Sequence, residues 1–277
     1  MKNPPVFFVI GQVQHNPILN LATYLAEIQA RLRKAGYPDF QRMSQMQLDF
    51  QLALNPQGTD AMPSPTMQHV ERFMCANTAG TDGFILQTNS LSFQTTAYTN
   101  FDDFLVRLKL GLGVLSDVVG ISFVDRIGIR YLDAISPVEG DLRKYLAAEL
   151  LGHPATMAAG KPHRTPDKAS FLYSFSEAVL VAEEIGQVVC RTIMQDAQLK
   201  FPPDLQPFNL KIADRFARVS GLHAVLDTDS SFSGRRDFDV GQIDTHLRAL
   251  QGLAKRCFDA ATTDYAQREW TTGVQGQ

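Results

Sequence analysis

The segment that most constrains the fold is 121–135, which reads ISFVDRIGIRYLDAI. From Arg126 onward apolar and charged positions alternate, as they do along a β-strand whose successive side chains point to opposite faces of a sheet. One side carries Ile127, Ile129 and Tyr131, and the other carries Arg126, Gly128 and Arg130. We therefore predict a long central strand that joins two halves of the chain, with an apolar face and a face on which two arginines flank a glycine.

Composition is that of an ordinary globular protein, with 277 residues, 44% of them hydrophobic and 20% charged. The net charge of −3 provides no general basic field for nucleic acid or an anionic membrane. Cys75, Cys190 and Cys257 lie far apart without a CxxC pair, which predicts reduced thiols in a cytoplasmic protein and neither a zinc site nor a disulfide framework. The apolar run Val6–Ile10 is too short for a signal peptide, and no run approaches the ~20 apolar residues of a membrane span.

Hydrophobic periodicity and turn residues predict a mixture of strands and helices. Asn16-Pro17 and Asn100 are typical helix starts, and Lys34-Ala35-Gly36 is a typical helix end. The predicted strands are 6–13, 43–54, 69–76, 83–88, 91–98, 121–135, 169–177 (with an extension to 183 as the alternative), 188–194 and 222–229, with 230–237 as a loop. The predicted helices begin after Asn16 and Asn100 and cover about 142–151 and 240–270.

These elements predict an α+β fold with two mainly antiparallel sheet-plus-helix halves that share one core. The halves are 1–137 and 138–277, and they form one compact unit. Strands within 69–98 followed by a helix at 101–119 resemble strands within 169–229 followed by a helix at 240–270, which suggests an internal duplication. The long C-terminal helix would reach roughly 45 Å and could cover its own sheet or a partner chain.

Arg126, Gly128 and Arg130 form the first candidate site. The two arginines stand about 13 Å apart along the strand, a spacing that suits two anionic points such as successive phosphates. Gly128 between them would let a ligand approach closely. The alternative, which the sequence favours, is an internal ion-pair network with Asp125, Asp133 or helix acids, because buried charges require partners.

Asp227 and Asp229 follow the apolar run Ala224–Leu226 and form the second candidate site, a cation site completed by Asp237 or Asp239. The D-x-D-x-S order is similar to the nucleophile loop of phosphoaspartate phosphatases. Too little chain follows it for the rest of that fold. An EF-hand is excluded because Phe232 and Phe238 occupy the positions that require Gly and Glu. Polar residues at the end of a strand are the favoured interpretation.

The remaining motifs indicate packing or solvated loops. Gly111-Leu-Gly113 lies within a predicted helix and lacks the third glycine of a dinucleotide fingerprint, so its glycines are predicted to permit close packing of the helix on the sheet. His153 and His163 share a loop with Lys161 and Arg164, where the alternatives are a solvated loop and a phosphate or metal site. No Walker-type phosphate loop, nucleophile elbow or HExxH motif occurs in the sequence.

The segment Arg126-Ile-Gly-Ile-Arg-Tyr-Leu-Asp133 resembles a sporadically distributed bacterial protein family of unknown function, which reads approximately R-[IV]-G-[LI]-R-Y-[IL]-N here. Similar features span most of the chain: the Pro4-Pro5 start and its strand, Tyr98–Phe104, Leu226–Asp229, and the closing helix to Phe258 and Trp270. This chain departs from the pattern with Asp133 in place of Asn. The resemblance implies a compact α+β protein and supplies no catalytic residues.

Without a catalytic constellation, we expect a non-enzymatic cytoplasmic accessory protein without a cofactor, which acts through a protein partner or by self-association. The alternative is an enzyme or sensor that binds a phosphorylated small molecule or nucleotide through Arg126 and Arg130. A nucleic-acid-binding accessory role is the third hypothesis. No membrane partner is expected.

Overall fold

The computed structural model describes residues 1–50, 65–137, 141–152, 171–205, 207 and 210–272. Within them nine strands form one sheet in which every neighbouring pair is antiparallel. The strands are β1 (Val6–His15), β2 (Asp39–Phe50), β3 (Pro65–Ala76), β4 (Asp82–Gln87), β5 (Ser90–Thr95), β6 (Phe123–Ile135), β7 (Tyr173–Ala182), β8 (Gly186–Asp196) and β9 (Leu222–Asp237). Their order across the sheet is β2-β3-β4-β5-β1-β6-β9-β8-β7. The predicted α+β class is confirmed.

Five α-helices accompany the sheet in the described part of the chain. They are α1 (Leu21–Lys34), α2 (Phe101–Val119), α3 (Asp214–Ala217), α4 (Val240–Ala261) and α5 (Asp264–Thr272). The predicted helix at 142–151 is instead two single turns of 3-10 helix, Leu142–Lys144 and Ala148–Leu150. Among the described residues, no helix combines the length and apolar composition that a membrane crossing requires.

The central strand β6 has the alternation that the sequence predicts. Ile127 and Ile129 are buried in the largest core cluster, together with apolar residues of α1, α2 and α4. Gly111 of α2 brings that helix onto the sheet, because a Cβ there would lie 2.4 Å from the Phe84 ring. The prediction that the glycine permits close helix–sheet packing is therefore confirmed.

The opposite face of the sheet is covered at one end by the irregular segment that precedes β9. Leu199, Leu210 and Phe216 of that segment pack against Phe8 and Leu132 of the sheet. Two Phe residues anchor the contact, since the Phe8 and Phe201 rings meet edge to face with 5.2 Å between centroids. The remainder of this face carries the polar side of β6, so the arginines lie on the side away from α2 and α4.

Two of the boundaries that differ from those predicted have a tertiary cause. Asn20, rather than Asn16, precedes α1, and the Asn16 side chain instead accepts a hydrogen bond from the Ser122 amide at 2.8 Å. The loop predicted at 230–237 is strand, because β9 stays paired with β6 as far as Asp237. Tertiary pairing therefore overrides the local turn chemistry in both places.

The predicted continuous helix from about Val240 to Trp270 is wrong at Thr262. That residue has extended backbone angles and pairs with Leu146 as an isolated bridge. The Thr263 amide also donates to the Tyr145 carbonyl at 3.0 Å. The chain therefore exchanges a turn of helix for strand-like hydrogen bonds and restarts as α5.

Candidate functional site

The polar side of β6 brings most of the predicted site residues together. Antiparallel register places Arg130 opposite Asp229 and Leu132 opposite Asp227 on β9. Opposed residues of an antiparallel pair share a face, so all of these side chains lie on the sheet face away from α4. The two candidate sites predicted from the sequence therefore form one charged cluster. The sequence does not show this, because the two sites are far apart along the chain.

Arg130 is the buried centre of this cluster, with 8% of the residue exposed. Its guanidinium donates two hydrogen bonds of 2.7 Å to Asp227, which is fully buried. It donates two more to Asp204, at 2.6 and 3.2 Å. Two bidentate pairs use four of the five N–H donors of an arginine.

Electrostatics within the cluster follow from this pairing. Burial by itself would lower the pKa of Arg130, but the hydrogen bonds to Asp227 and Asp204 hold that pKa above its ordinary value. The same hydrogen bond lowers the pKa of Asp204. Arg191 extends the network, with 3.5 Å to Asp227 and 2.6 Å to Glu177. Arg130 is thus neutralised by carboxylates of the chain itself, as the ion-pair interpretation expects.

Its partners are not the ones that the sequence suggests. Asp125 pairs with Arg235 at 2.9 Å, and Asp133 lies on the opposite face of the sheet from Arg130. Asp204 comes from the irregular segment before α3 and was not anticipated. No local pattern marks it, because it reaches Arg130 only when that segment folds over the sheet.

Arg126 is less fully paired than Arg130. Its guanidinium lies 3.8 Å from Asp229 and 3.4 Å from the Gln12 side chain. It also folds over Gly128, where an added Cβ would lie 3.1 Å from an Arg126 nitrogen. Gly128 therefore makes room for an arginine of its own strand. The group that approaches Gly128 closely is the Arg126 side chain and not a ligand.

The proposed cation site at Asp227 and Asp229 has a different chemistry from the one expected. Asp227 is bound by Arg130, and desolvation raises the pKa of Asp229 while Arg126 opposes that rise. No group of three or more His, Cys, Asp or Glu residues suited to a metal ion occurs in the described ranges. Asp237 and Asp239 lie at the far end of β9 and before α4, where Asp239 caps the helix by accepting from the Gln242 amide. His153 and His163 lie outside the described residues.

A second feature of functional interest is β7, the last strand of the sheet on one side. It pairs with β8 along its whole length without a register shift, and its other edge has no neighbouring strand in the described chain. Of the twelve large hydrophobic residues that are exposed among the described side chains, six lie in or beside it: Leu172, Tyr173, Phe175, Val179, Leu180 and Val181. An apolar surface is therefore concentrated at an open sheet edge.

A scan of protein-family models finds no match to this chain, and a search of curated proteins finds none either. The functional proposal therefore rests on the geometry of the chain itself.

Proposed function

We propose that this protein functions through protein–protein interaction, and that a second copy of the chain pairs with the free edge of β7. The observation that supports the proposal is the coincidence of an open strand edge with an exposed apolar surface. Val181 is 79% exposed and Phe175 is 54% exposed on the same strand face. Surfaces of this kind mark interaction sites in soluble proteins.

Within the described part of the chain, the edge lacks the features by which sheet proteins prevent edge-to-edge pairing. Such features are Lys or Pro residues, bulges, or a covering segment. The sequence YSFSEAVLVA of β7 contains neither Lys nor Pro, and its pairing with β8 has no bulge. Its one charge, Glu177, is already paired with Arg191 at 2.6 Å. The backbone groups on the outer edge are therefore available to a further strand.

A second copy is chemically compatible with this edge. Two strands related by a twofold axis run antiparallel, which continues the pattern of the sheet. A register centred on Ala178 would place Phe175 of one copy opposite Val181 of the other. Aromatic and β-branched residues are favourable cross-strand neighbours. The same register would place each Glu177 opposite Val179, so the two carboxylates do not face each other.

The test is the mass of the protein in solution, measured by analytical ultracentrifugation over a range of concentrations. We expect a dimer of twice 30.7 kDa, and we expect Val181→Lys to give a monomer with an unchanged circular dichroism spectrum. Val106→Lys is the matched control, because Val106 is also exposed but lies on α2. A wild-type monomer, or a Val181→Lys protein that still dimerises, would overturn the proposal.

The alternatives from the sequence have weaker support. A phosphorylated ligand would have to displace carboxylates from Arg130, whose guanidinium already makes four hydrogen bonds. Nucleic acid would have to bind a surface on which the arginines of this cluster are matched by acids.

The proposal of a cytoplasmic location is supported by three free cysteines, Cys75, Cys190 and Cys257. We retain a non-enzymatic role as part of the proposal.

We further propose that the halves 1–137 and 138–277 arose by duplication and share one core. The strand order supports this proposal: reading outward from the central β1–β6 pair gives β1-β5-β4-β3-β2 on one side and β6-β9-β8-β7 on the other. This pattern divides the chain after α2, with β6 as the first strand of the second repeat, and not at residue 137. In each repeat the first strand pairs with the last, and a helix of the same sheet face follows that last strand. The first repeat has one additional strand. Separate expression should leave each half unfolded, with co-expression restoring the sheet; a half that folds alone would contradict the shared core.

A further inference from the structure

A cavity of about 200 Å³ lies on the helical side of the sheet, remote from β7. Residues of β1, β6, β9 and α4 enclose it, together with Tyr98 and the start of the chain. Its apolar wall includes Pro5, Val6, Ala254 and Phe258. An engineered apolar cavity of about 150 Å³ accommodates benzene. The volume here therefore suits a molecule slightly larger than one aromatic ring.

Asp133 is the unusual residue in this cavity. It is 6% exposed, lines the cavity from β6, and has no hydrogen bond or ion pair within the described chain. Buried carboxyl groups in proteins are ordinarily paired or hydrogen-bonded, because burial of an isolated charge is very unfavourable. Desolvation alone raises the pKa of Asp133 to about 8. Perturbed carboxyl groups of this kind are concentrated at functional sites.

Two further polar groups lie at the same wall. The Tyr131 hydroxyl is buried and makes no hydrogen bond of acceptable geometry, although the Tyr98 phenol lies beside it. Thr228 is directly opposite Tyr131 in the β6–β9 register and also lines the cavity. The three side chains Asp133, Tyr131 and Thr228 thus offer oxygen acceptors to one pocket.

The aromatic rings around this space favour positive charge. Tyr98 and Tyr131 meet edge to face, with 5.7 Å between ring centroids, and both line the cavity. The face of an aromatic ring attracts a cation, and the attraction increases where water is excluded. Lys255, the cation of α4 at this cavity, is engaged with Asp259 at 2.5 Å and does not neutralise Asp133.

We propose that the cavity binds a small primary amine, whose ammonium group donates hydrogen bonds to Asp133, Tyr131 and Thr228 while its apolar part packs against α4. The three N–H donors of an ammonium match the three acceptors. An anion would meet the Asp133 carboxylate, and the Lys255 ammonium at this cavity is already engaged with Asp259. A neutral ligand of the same shape would gain the apolar contacts and lose the ion pair.

Binding depends on pH because the amine requires Asp133 in its charged form. The other ionisable groups at the cavity are Tyr98, Tyr131, Lys255, Asp259 and the amino group of Met1. Below the pKa of Asp133 each proton bound to the carboxyl competes with the amine. The affinity of the wild type should therefore fall about tenfold per pH unit as the pH decreases below about 8.

The experiment compares benzylamine, benzyl alcohol and benzoate as probes of the wild-type protein by isothermal titration calorimetry near pH 8. We expect benzylamine to bind at least about tenfold more tightly than the alcohol, the equivalent of 1.4 kcal/mol, and benzoate to bind most weakly. Asp133→Asn should reduce the affinity for benzylamine to that for benzyl alcohol. Asp117→Asn, the same change at an exposed carboxylate of α2 that does not line the cavity, should leave the preference for the amine intact.

Equal affinity for the amine and the alcohol, no binding of either, or an amine preference that survives in Asp133→Asn would each overturn the proposal. So would a preference lost only in Asp117→Asn. If Asp133→Asn does not fold, the wild-type pH profile and Tyr131→Phe, which removes only the hydroxyl, still decide the matter. A flat pH profile together with unchanged binding to Tyr131→Phe contradicts the assignment.

Discussion

The Arg130 cluster allows a quantitative prediction for Arg130→Met. The substitution keeps a long unbranched side chain but leaves Asp227, which is fully buried, with only the Arg191 contact at 3.5 Å among the described residues. Removal of one partner from a buried ion pair typically destabilises a protein by about 3–5 kcal/mol, because the other charge stays buried without compensation. Loss of the Asp204 contact contributes little to that figure, since the Asp204 side chain is 62% exposed.

Urea denaturation measures the effect. With an m-value of about 3 kcal/mol/M, a loss of about 3–5 kcal/mol lowers the midpoint by about 1–1.7 M. Arg31→Met is the matched control, because Arg31 pairs with Glu27 and Asp117 on the exposed side of α1. Exposed pairs contribute about 1 kcal/mol or less. The control midpoint should therefore shift by about 0.3 M or less at the same m-value.

A double substitution separates the pair from its packing. Arg130→Met with Asp227→Leu removes both charges, so most of the stability lost in Arg130→Met should return. A midpoint shift in Arg130→Met no larger than that in Arg31→Met would show that Asp227 is not left as an uncompensated buried charge. A double variant less stable than the single variant would show the same.

Three further predictions concern stability alone. Asp133 has a folded pKa of about 8, above the ordinary value of 3.8, so the folded state binds the proton more tightly than the unfolded state does. The wild type should therefore lose stability relative to Asp133→Asn as the pH rises from about 4 to about 8. Parallel pH profiles of the two melting temperatures would contradict this prediction. Gly111→Ala should destabilise the folded protein by about 1–3 kcal/mol through overpacking. Gly113→Ala should stabilise it by about 0.5–1 kcal/mol, because the added Cβ meets nothing within 4 Å. Chemical denaturation that finds Gly111→Ala more stable than Gly113→Ala would refute the packing argument. Asn100→Ala should lower the free energy of unfolding by about 1 kcal/mol, because the Asn100 side chain accepts a hydrogen bond from the Asp103 amide. Asn20→Ala removes no capping hydrogen bond and should be close to neutral in the same assay.

The sequence was most informative where the local signal and the tertiary role agree. Alternation along 121–135 predicted both the strand and the burial of its two faces, because a period of two is a property of the backbone. The cap at Asn100 and the glycine after α1 were likewise predicted from backbone chemistry, and Gly36 has the positive φ of 99° expected there. These features require no knowledge of the rest of the chain.

The sequence was least informative where two distant segments meet. The division of the final helix at Thr262 depends on the bridge to Leu146, and the extension of β9 depends on β6. The partner Asp204 was missed for the same reason, since 74 positions separate it from Arg130 along the chain. Local propensity carries no information about such encounters.

The sequence by itself determined the class of fold, the central strand and the presence of charges on its polar side, because those follow from periodicity and composition. Only the tertiary structure decided that Arg130 is neutralised by Asp227 and Asp204 and that Gly128 accommodates Arg126. It likewise decided that Asp133 faces a cavity without a partner among the described residues. The physical reason is that the free energy of a buried charge depends on which groups surround it, and those groups come from strands and loops far apart in the chain.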